Sequence, residues 1–377
     1  MKILIVPNSF KGSLSSVQIS KIISEIFSER FEYEIFSVPL SDGGDGFLDV
    51  IEYHSKERLR KYSFELNFDD KSTECSVLFS ASTKTVYIES AEVIGLKKIS
   101  SKDLKPLYLN SSALGDLLNK ISNESEKDTI PFFEKIIIGI GGTATIDLGL
   151  GALEKLGLQL LDESNNPLKV IPINFSKARK IIPPQEKFQR EIVCVVDVQT
   201  KLFGKENAID IFGPQKGANE NDLIIIKKGM ENIFELLNSF SYQIDKNNLN
   251  GAGGGLAAGL NIFLNAEIVS AEDFIKENFL GKYLNEHFDY IVTTEGKFDI
   301  QSFQGKVTGE IIKMFNQIVK KIFVVCGNAE KDVMNFIPRN VEVIELNSFF
   351  GSIEESIKNS SYGLKLAFDR IIEQVQY

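Results

Sequence analysis

The residues best suited to chemistry sit in six glycine- or polar-rich loops, each placed where an apolar run ends. They are Pro7–Gly12, Ser41–Gly46, Gly141–Thr145, Asp197 with Phe212–Ala218, Gly251–Gly255, and Glu295–Ser302. Lys11, Lys216, Lys297 and Lys306 are the candidate cations, and Asp42, Asp45, Asp147, Asp197, Glu295 and Asp299 the candidate carboxylates. Phosphoryl transfer calls for this set. It needs cations on the moving group, carboxylates for Mg²⁺, and one carboxylate to take the hydroxyl proton. Any one of these charges, taken alone, reads first as a solvated loop residue. Six such loops together are hard to explain as connectors. No Walker A sequence is present, because Gly305-Lys306 is followed by Val307.

The central loop lies in the stretch Lys135–Gly157. Ile136–Ile140 reads as a buried strand, and Leu148, Ala152, Leu153 and Leu156 recur at helical spacing. A strand, a glycine turn and a helix N-terminus in succession suit an anion, by default a phosphate. The same stretch, Gly139-x-Gly141-x-x-Ala144 with Asp162 further on, matches a loose dinucleotide fingerprint. That keeps a nicotinamide-dependent oxidoreductase open as a rival, although the second strand here enters a hairpin.

Alternating strands and helices must position these loops. Lys2–Val6, a helix from a Ser15/Gln18 capping box to about Glu29, Tyr33–Val38 and a helix Phe47–His54 open a doubly wound α/β unit. The pattern then changes. Lys61–Phe68, Glu74–Phe79 and Thr85–Glu89 read as an antiparallel meander, followed by a helix near Ala113–Ile121. Leu158–Leu161 and Lys169–Ile173 flank a turn at Asn165-Asn166-Pro167. Glu191–Val196 is a strand ending at Asp197, and Asn221–Phe240 is a helix. Alternation resumes near His287, with strands Asp289–Thr293, Lys321–Cys326 and Val341–Leu346. Helices Gly305–Phe315, Glu330–Phe336 and Ile353–Ile372 accompany them. Residues 1–54 and 287–377 are therefore expected to form one doubly wound α/β domain, interrupted by a mixed α/β domain over 55–286.

Composition narrows the function classes. The 377 residues are 43% hydrophobic and carry a net charge of −10 without a basic block, which argues against nucleic acid. His54 and His287, with Cys75, Cys194 and Cys326, offer no zinc-type spacing. Three scattered cysteines fit a reduced, cytoplasmic setting. The N-terminal apolar run is too short for a signal peptide, and no run of about 18 apolar residues would span a membrane.

In the order of these loops the chain resembles the bacterial glycerate kinases. The family pattern runs Pro-Asp-Ser-Phe-Lys, Ala-Asp-Gly-Gly-Glu-Gly and Gly-Ile-Gly-Gly-Ser-Ala-Thr-Asn-Asp-Gly-Gly-Ala-Gly. It continues Cys-Asp-Val-x-Asn-Pro-Leu, Phe-Gly-Pro-Gln-Lys-Gly-Ala and Gly-Glu-Gly-Arg-x-Asp. Phe212–Ala218 matches letter for letter. Asn8, Ile146, Leu148, Thr200 and Lys297 depart from the pattern. The resemblance implies a flavodoxin-like domain carrying an inserted second domain, with the site in the cleft between them, and ATP- and Mg²⁺-dependent phosphorylation of D-glycerate. It implies Asp197 as base, with Lys11 and Lys216 as cations. Gly141, Gly142, Thr143, Thr145, Gly253, Gly254 and Gly255 would hold phosphates. Ser9, Asp42, Gly43, Gly44, Lys297 and Gln301 would bind substrate, and Glu295 and Asp299 metal. The departures leave open a homologue that binds without catalysing. The partner is a small hydroxy-acid, with no nucleic acid and no membrane, and a homodimer is left open.

Overall fold

The structure, a computed structural model, describes residues 1–10, 12–27, 33–127, 129–197, 200–239, 244–245, 248–303 and 305–375. In chain order the strands begin with β1 (Lys2–Pro7), β2 (Glu34–Ser37), β3 (Arg60–Phe68), β4 (Lys71–Ser80) and β5 (Thr85–Glu89). Next are β6 (Lys135–Ile140), β7 (Gln159–Leu161), β8 (Pro167–Leu168), β9 (Lys180–Ile182), β10 (Glu191–Val196) and β11 (Glu267–Ser270). The last are β12 (Tyr290–Phe298), β13 (Lys321–Ala329) and β14 (Val341–Glu345). The chain divides into two compact units, Met1–Lys56 with Ser270–Tyr377, and Glu57–Val269.

The first unit is a sheet in the order β14-β13-β12-β1-β2, with every pairing parallel. Renumbered within the unit this is 2-1-3-4-5, the flavodoxin order, whose direction of winding reverses between β1 and β12. A sheet covered on both faces needs continuous apolar strands, and Ile3–Val6 is fully buried. Helices Ser16–Phe27 and Ser360–Val375 close one face through Ile19, Ile23, Leu364, Phe368 and Ile371. Helix Val307–Phe315 packs on β12 and β13. The capping box is formed: Gln18 N donates to Ser15 Oγ (3.2 Å), and Ser15 N to Gln18 Oε1 (2.8 Å). The expected end of that helix, near Glu29, lies outside the described residues.

Residues 270–286 belong to this unit, whereas the sequence pattern placed the return of the chain at 287. The reason is aromatic packing. Phe274 lies 5.9 Å from Phe47 between ring centroids, and Phe279 stacks on His54 at 4.4 Å. Two further expectations change. The Glu330–Phe336 helix is a short 3₁₀ turn, Lys331–Asn335, and the last helix is two, Ile353–Lys358 and Ser360–Val375.

The second unit carries a sheet in the order β11-β10-β6-β5-β4-β3. The meander β3-β4-β5 is antiparallel as expected, and β5-β6 and β6-β10 are parallel. A small sheet β8-β7-β9 completes it. The hairpin partner of β7 is β8 at Pro167–Leu168. The expected strand Lys169–Ile173 gives way to a 3₁₀ turn, Pro172–Lys177, as Pro172 starts a turn well and has no N–H for a ladder.

After β6 the chain does not enter a helix at once. It turns from Gly141 to Gly149, and the helix is Leu150–Lys155. Leu148 sits in the left-handed region at φ 56° with its side chain fully buried. Its core includes Leu150, Leu153 and Leu202. A Cβ on Gly259 would come within 1.8 Å of Leu148 O, so this turn presses on the bare face of helix Ala252–Leu264. Burial of Leu148 therefore offsets a backbone strain of about 1 kcal/mol. Leu148→Ala should cost about 2–4 kcal/mol, because the core contact goes and the strain stays. Leu148→Gly should be about 1 kcal/mol milder, because glycine removes the strain. Thermal denaturation of both variants checks this. An alanine variant more stable than the glycine variant would contradict it.

Candidate active site

The first cluster lies beyond the carboxyl ends of β1 and β12, where an open α/β sheet binds ligands. Asp42, held by the loop after β2, is buried and has both oxygens engaged. Asn8 Nδ2 donates to its Oδ2 (3.0 Å), and Val307 N to its Oδ1 (3.1 Å), which caps helix Val307–Phe315. Asn8 stands where the family pattern has an aspartate. Here its amide supplies a donor, and a second carboxylate at this distance would repel Asp42 or share its proton. Gly43 (φ 88°) makes the turn that presents Asp42, with its N–H on Ser41 Oγ (3.3 Å).

Glu295, on β12, accepts from Ser302 Oγ (2.7 Å) and lies 3.6 Å from Lys306 Nζ. Burial, with the negative neighbours Asp42 and Asp299, pushes its carboxyl up to about 7, against the pull of Lys306 and Ser302. Asp299 Oδ1 is buried without a hydrogen-bond partner, 3.8 Å from Lys306 Nζ. Lys297 is exposed, 3.5 Å from Asp299 Oδ2 and 2.5 Å from Glu330 Oε1. A cavity of about 440 Å³ opens beside this cluster, lined by Asn8, Ser9, Asp42, Glu295, Lys297 and Lys306 together with apolar residues. Gln301 is exposed on the turn Ile300–Phe303 and outside that lining; buried Gly43 and half-buried Gly44 are outside it as well. Lys11 lies outside the described residues.

The second cluster lies where β6 and β10 end side by side, with Ile140 opposite Val196. This pairing brings the Gly141–Gly149 turn and Asp197 to one end of the sheet. Lys216 is buried in the turn Pro214–Lys216 and donates to Thr143 Oγ1 (3.1 Å) and Thr145 O (2.9 Å). Burial lowers its pKa to about 8, against the charges of Asp147 and Asp197, which raise it. Thr145 Oγ1 is buried with no partner. Asp147 is fully buried and serves as an anchor. It accepts from Ser111 N (2.8 Å), Ser111 Oγ (2.7 Å), Gly151 N (3.0 Å) and Gly149 N (3.3 Å).

The glycine cradle expected here is largely committed elsewhere. Gly141 N donates to Ser90 Oγ (3.2 Å), and Gly254 N and Gly255 N both donate to Gly251 O (3.1 and 3.2 Å). Gly253, Gly254 and Gly255 are all left-handed, and a Cβ on Gly254 would meet Thr145 O at 2.2 Å. Gly254 lets one backbone approach another, and the N–H groups of Gly141, Gly254 and Gly255 are taken up within the chain. Gly142, Thr143 and Thr145 remain as the anion-facing candidates of the turn. The dinucleotide reading also fails locally. No helix starts at Ala144, and Asp162 closes the β7–β8 turn by accepting from Ser164 N (2.9 Å) and Asn166 N (2.8 Å).

Comparison with known proteins supplies the family. The model of the glycerate kinase family matches residues 3–376. The chain belongs to the glycerate kinase family. The Glycerate 2-kinase of Escherichia coli K12 is 27% identical over 372 residues, covering 96% of this chain and 94% of that protein. The Glycerate kinase of Neisseria meningitidis serogroup B is 27% identical over 373 residues, covering 97% and 96%. The crystal structure of putative glycerate kinase 2 from Salmonella typhimurium LT2 has the same fold, with a TM-score of 0.73 at 24% identity over 100% of this chain and 98% of that one. A glycerate kinase family member is a phosphotransferase, which displaces the nicotinamide reading.

Within this family frame, sequence reasoning missed the supporting residues. Ser302 and Ser111 orient Glu295 and Asp147, whereas Lys306, expected as a cation, faces two carboxylates at once. The spacing Asp299-x-x-Ser302 was a usable signal, since a hydroxyl three residues on can accept the Asp299 N–H (3.2 Å).

Proposed function

We propose that this protein transfers the γ-phosphoryl group of ATP to a hydroxyl of D-glycerate, with Mg²⁺. The observation that carries the reading is the family match along nearly the whole chain, with carboxylates and lysines at both strand-end clusters. The substrate hydroxyl oxygen bonds to the γ-phosphorus, the bond to the β–γ bridging oxygen breaks, and ADP leaves. Asp197 accepts the hydroxyl proton. Lys216, fixed by Thr143 and Thr145, neutralises charge on the transferred group, and Lys11 is assigned the same task. Ser9, Asp42, Gly43, Gly44, Lys297 and Gln301 are assigned to the hydroxy-acid.

Glu295 and Asp299 fit a magnesium ion. Asp299 Oδ1 is a buried acceptor lacking a donor, and Glu295 Oε1 faces the same lysine. Mg²⁺ commonly takes one or two protein carboxylates and completes its shell with water and phosphate. When bound, it would withdraw charge from the phosphate oxygens. Cys75, Cys194 and Cys326 are buried free thiols, which suits the cytoplasmic location we assign. No helix among the described residues is long and apolar enough to cross a membrane.

ADP release measured by a coupled assay tests the reading. Release should require D-glycerate, ATP and Mg²⁺ together and stop on chelation. ADP release indifferent to D-glycerate would overturn it.

A further inference from the structure

The cavity on the first unit is larger and more apolar than a glycerate site requires. Its volume is about 440 Å³, within the range of about 300–1,000 Å³ typical of pockets for drug-sized ligands. Every carbon of glycerate bears oxygen, so the acid has no apolar face to bury. Yet one wall of the cavity is Phe10, Leu346, Ile353 and Ile357. Ile353 and Ile357 are 60% and 50% exposed at its rim, on helix Ile353–Lys358. Apolar side chains left open beside a polar-edged cavity mark a ligand surface. The lining also includes the amides Asn328 and Asn347, with Asn347 Nδ2 on Asn328 Oδ1 (3.4 Å). Asp42, Glu295, Lys297 and Lys306 form the charged part of the lining.

We propose that this cavity takes the nucleoside end of the ATP, the purine lying on the Phe10, Leu346, Ile353 and Ile357 wall and its edge on the two asparagines. A purine has flat apolar faces and a hydrogen-bonding rim, and the cavity supplies both kinds of surface. Lys306 and Glu295 then serve the phosphate end. The inference rests on the kinase reading and relocates the nucleotide from the second unit. There the Gly141, Gly254 and Gly255 N–H groups are taken up within the chain; a cavity of about 290 Å³ sets Asp69, Asp70, Asp116 and Glu154 against Lys155 and Lys169, and another of about 440 Å³ has Leu66 as its one apolar side chain.

The chain has no tryptophan, so Ile357→Trp places a single reporter at the rim, where exposure lets the larger ring fit. ADP alone should change its emission saturably, and D-glycerate alone should not. Ile357→Asp should raise KM for ATP about tenfold and leave KM for D-glycerate within about twofold. Calorimetry of the unmodified protein with ADP separates the failures. ADP binding with an unmoved reporter, or a reporter moved by D-glycerate alone, overturns the cavity assignment and leaves the kinase reading standing. No ADP binding at millimolar concentration, with no glycerate-dependent ADP release, overturns both.

Discussion

Asp197→Asn should lower kcat about 10²- to 10⁴-fold, the range for loss of a positioned general base, while the melting temperature barely moves. Asparagine keeps the shape of the side chain and removes its negative charge and its ability to take a proton. Asp197 follows β10 directly and is half-buried, outside the hydrophobic core clusters. The variant has a second readout. Asp197 is one of two negative charges that hold the Lys216 pKa up. Without it that pKa should fall below about 8, moving any alkaline limb of the rate profile to lower pH. Near-normal turnover in the variant would remove Asp197 from the role of base.

Lys216→Met should reduce kcat/KM about 10²- to 10³-fold, the cost of deleting one preorganised group at developing charge. The wild-type profile should show the cause. With a pKa of about 8, Lys216 is charged below that pH and neutral above it, so kcat/KM should fall as pH rises through 8. Lys216→Arg stays protonated throughout and should lose that limb whatever its absolute rate. Stability runs the other way. Between pH 8 and 10.5 the unfolded chain keeps a proton on Lys216 that the folded chain has released, so folding stability should rise with pH in that window. Lys216→Met lacks this term, and any stability advantage it holds at pH 7 should shrink by pH 10. A wild-type kcat/KM flat from pH 7 to 10 would contradict the role given to Lys216.

Much of the fold was legible because it rests on local periodicity. The apolar runs at Ile3–Val6, Ile136–Ile140 and Glu191–Val196, the Ser15/Gln18 box and the β3–β5 meander carry their signal within a few residues. The return of the chain at Ser270 was not legible, because it depends on Phe274 and Phe279 meeting Phe47 and His54 across more than two hundred residues. The break between Lys358 and Ser360 carries no proline or glycine to announce it.

Residue types in the site were legible and their hydrogen bonds were not. Asp147 and Asp197 are alike in sequence. Four donors make the first a buried anchor, while the second sits at a strand end facing Lys216 electrostatically. The glycines after Gly251 suggested a phosphate cradle. Gly253, Gly254 and Gly255 are left-handed and pack against Ile140, Thr145 and Leu148, so chain packing by itself already calls for glycine there. Leu148, where the pattern wanted glycine, is held in a glycine-like conformation by a buried apolar contact that sequence alone does not display.

The most direct test of the central claim is ³¹P NMR of the protein incubated with ATP, Mg²⁺ and D-glycerate. A new phosphomonoester resonance should grow as the γ-phosphate signal of ATP declines, and it should vanish when D-glycerate is omitted. Conversion of ATP to ADP with only inorganic phosphate appearing, or no conversion, would contradict the account.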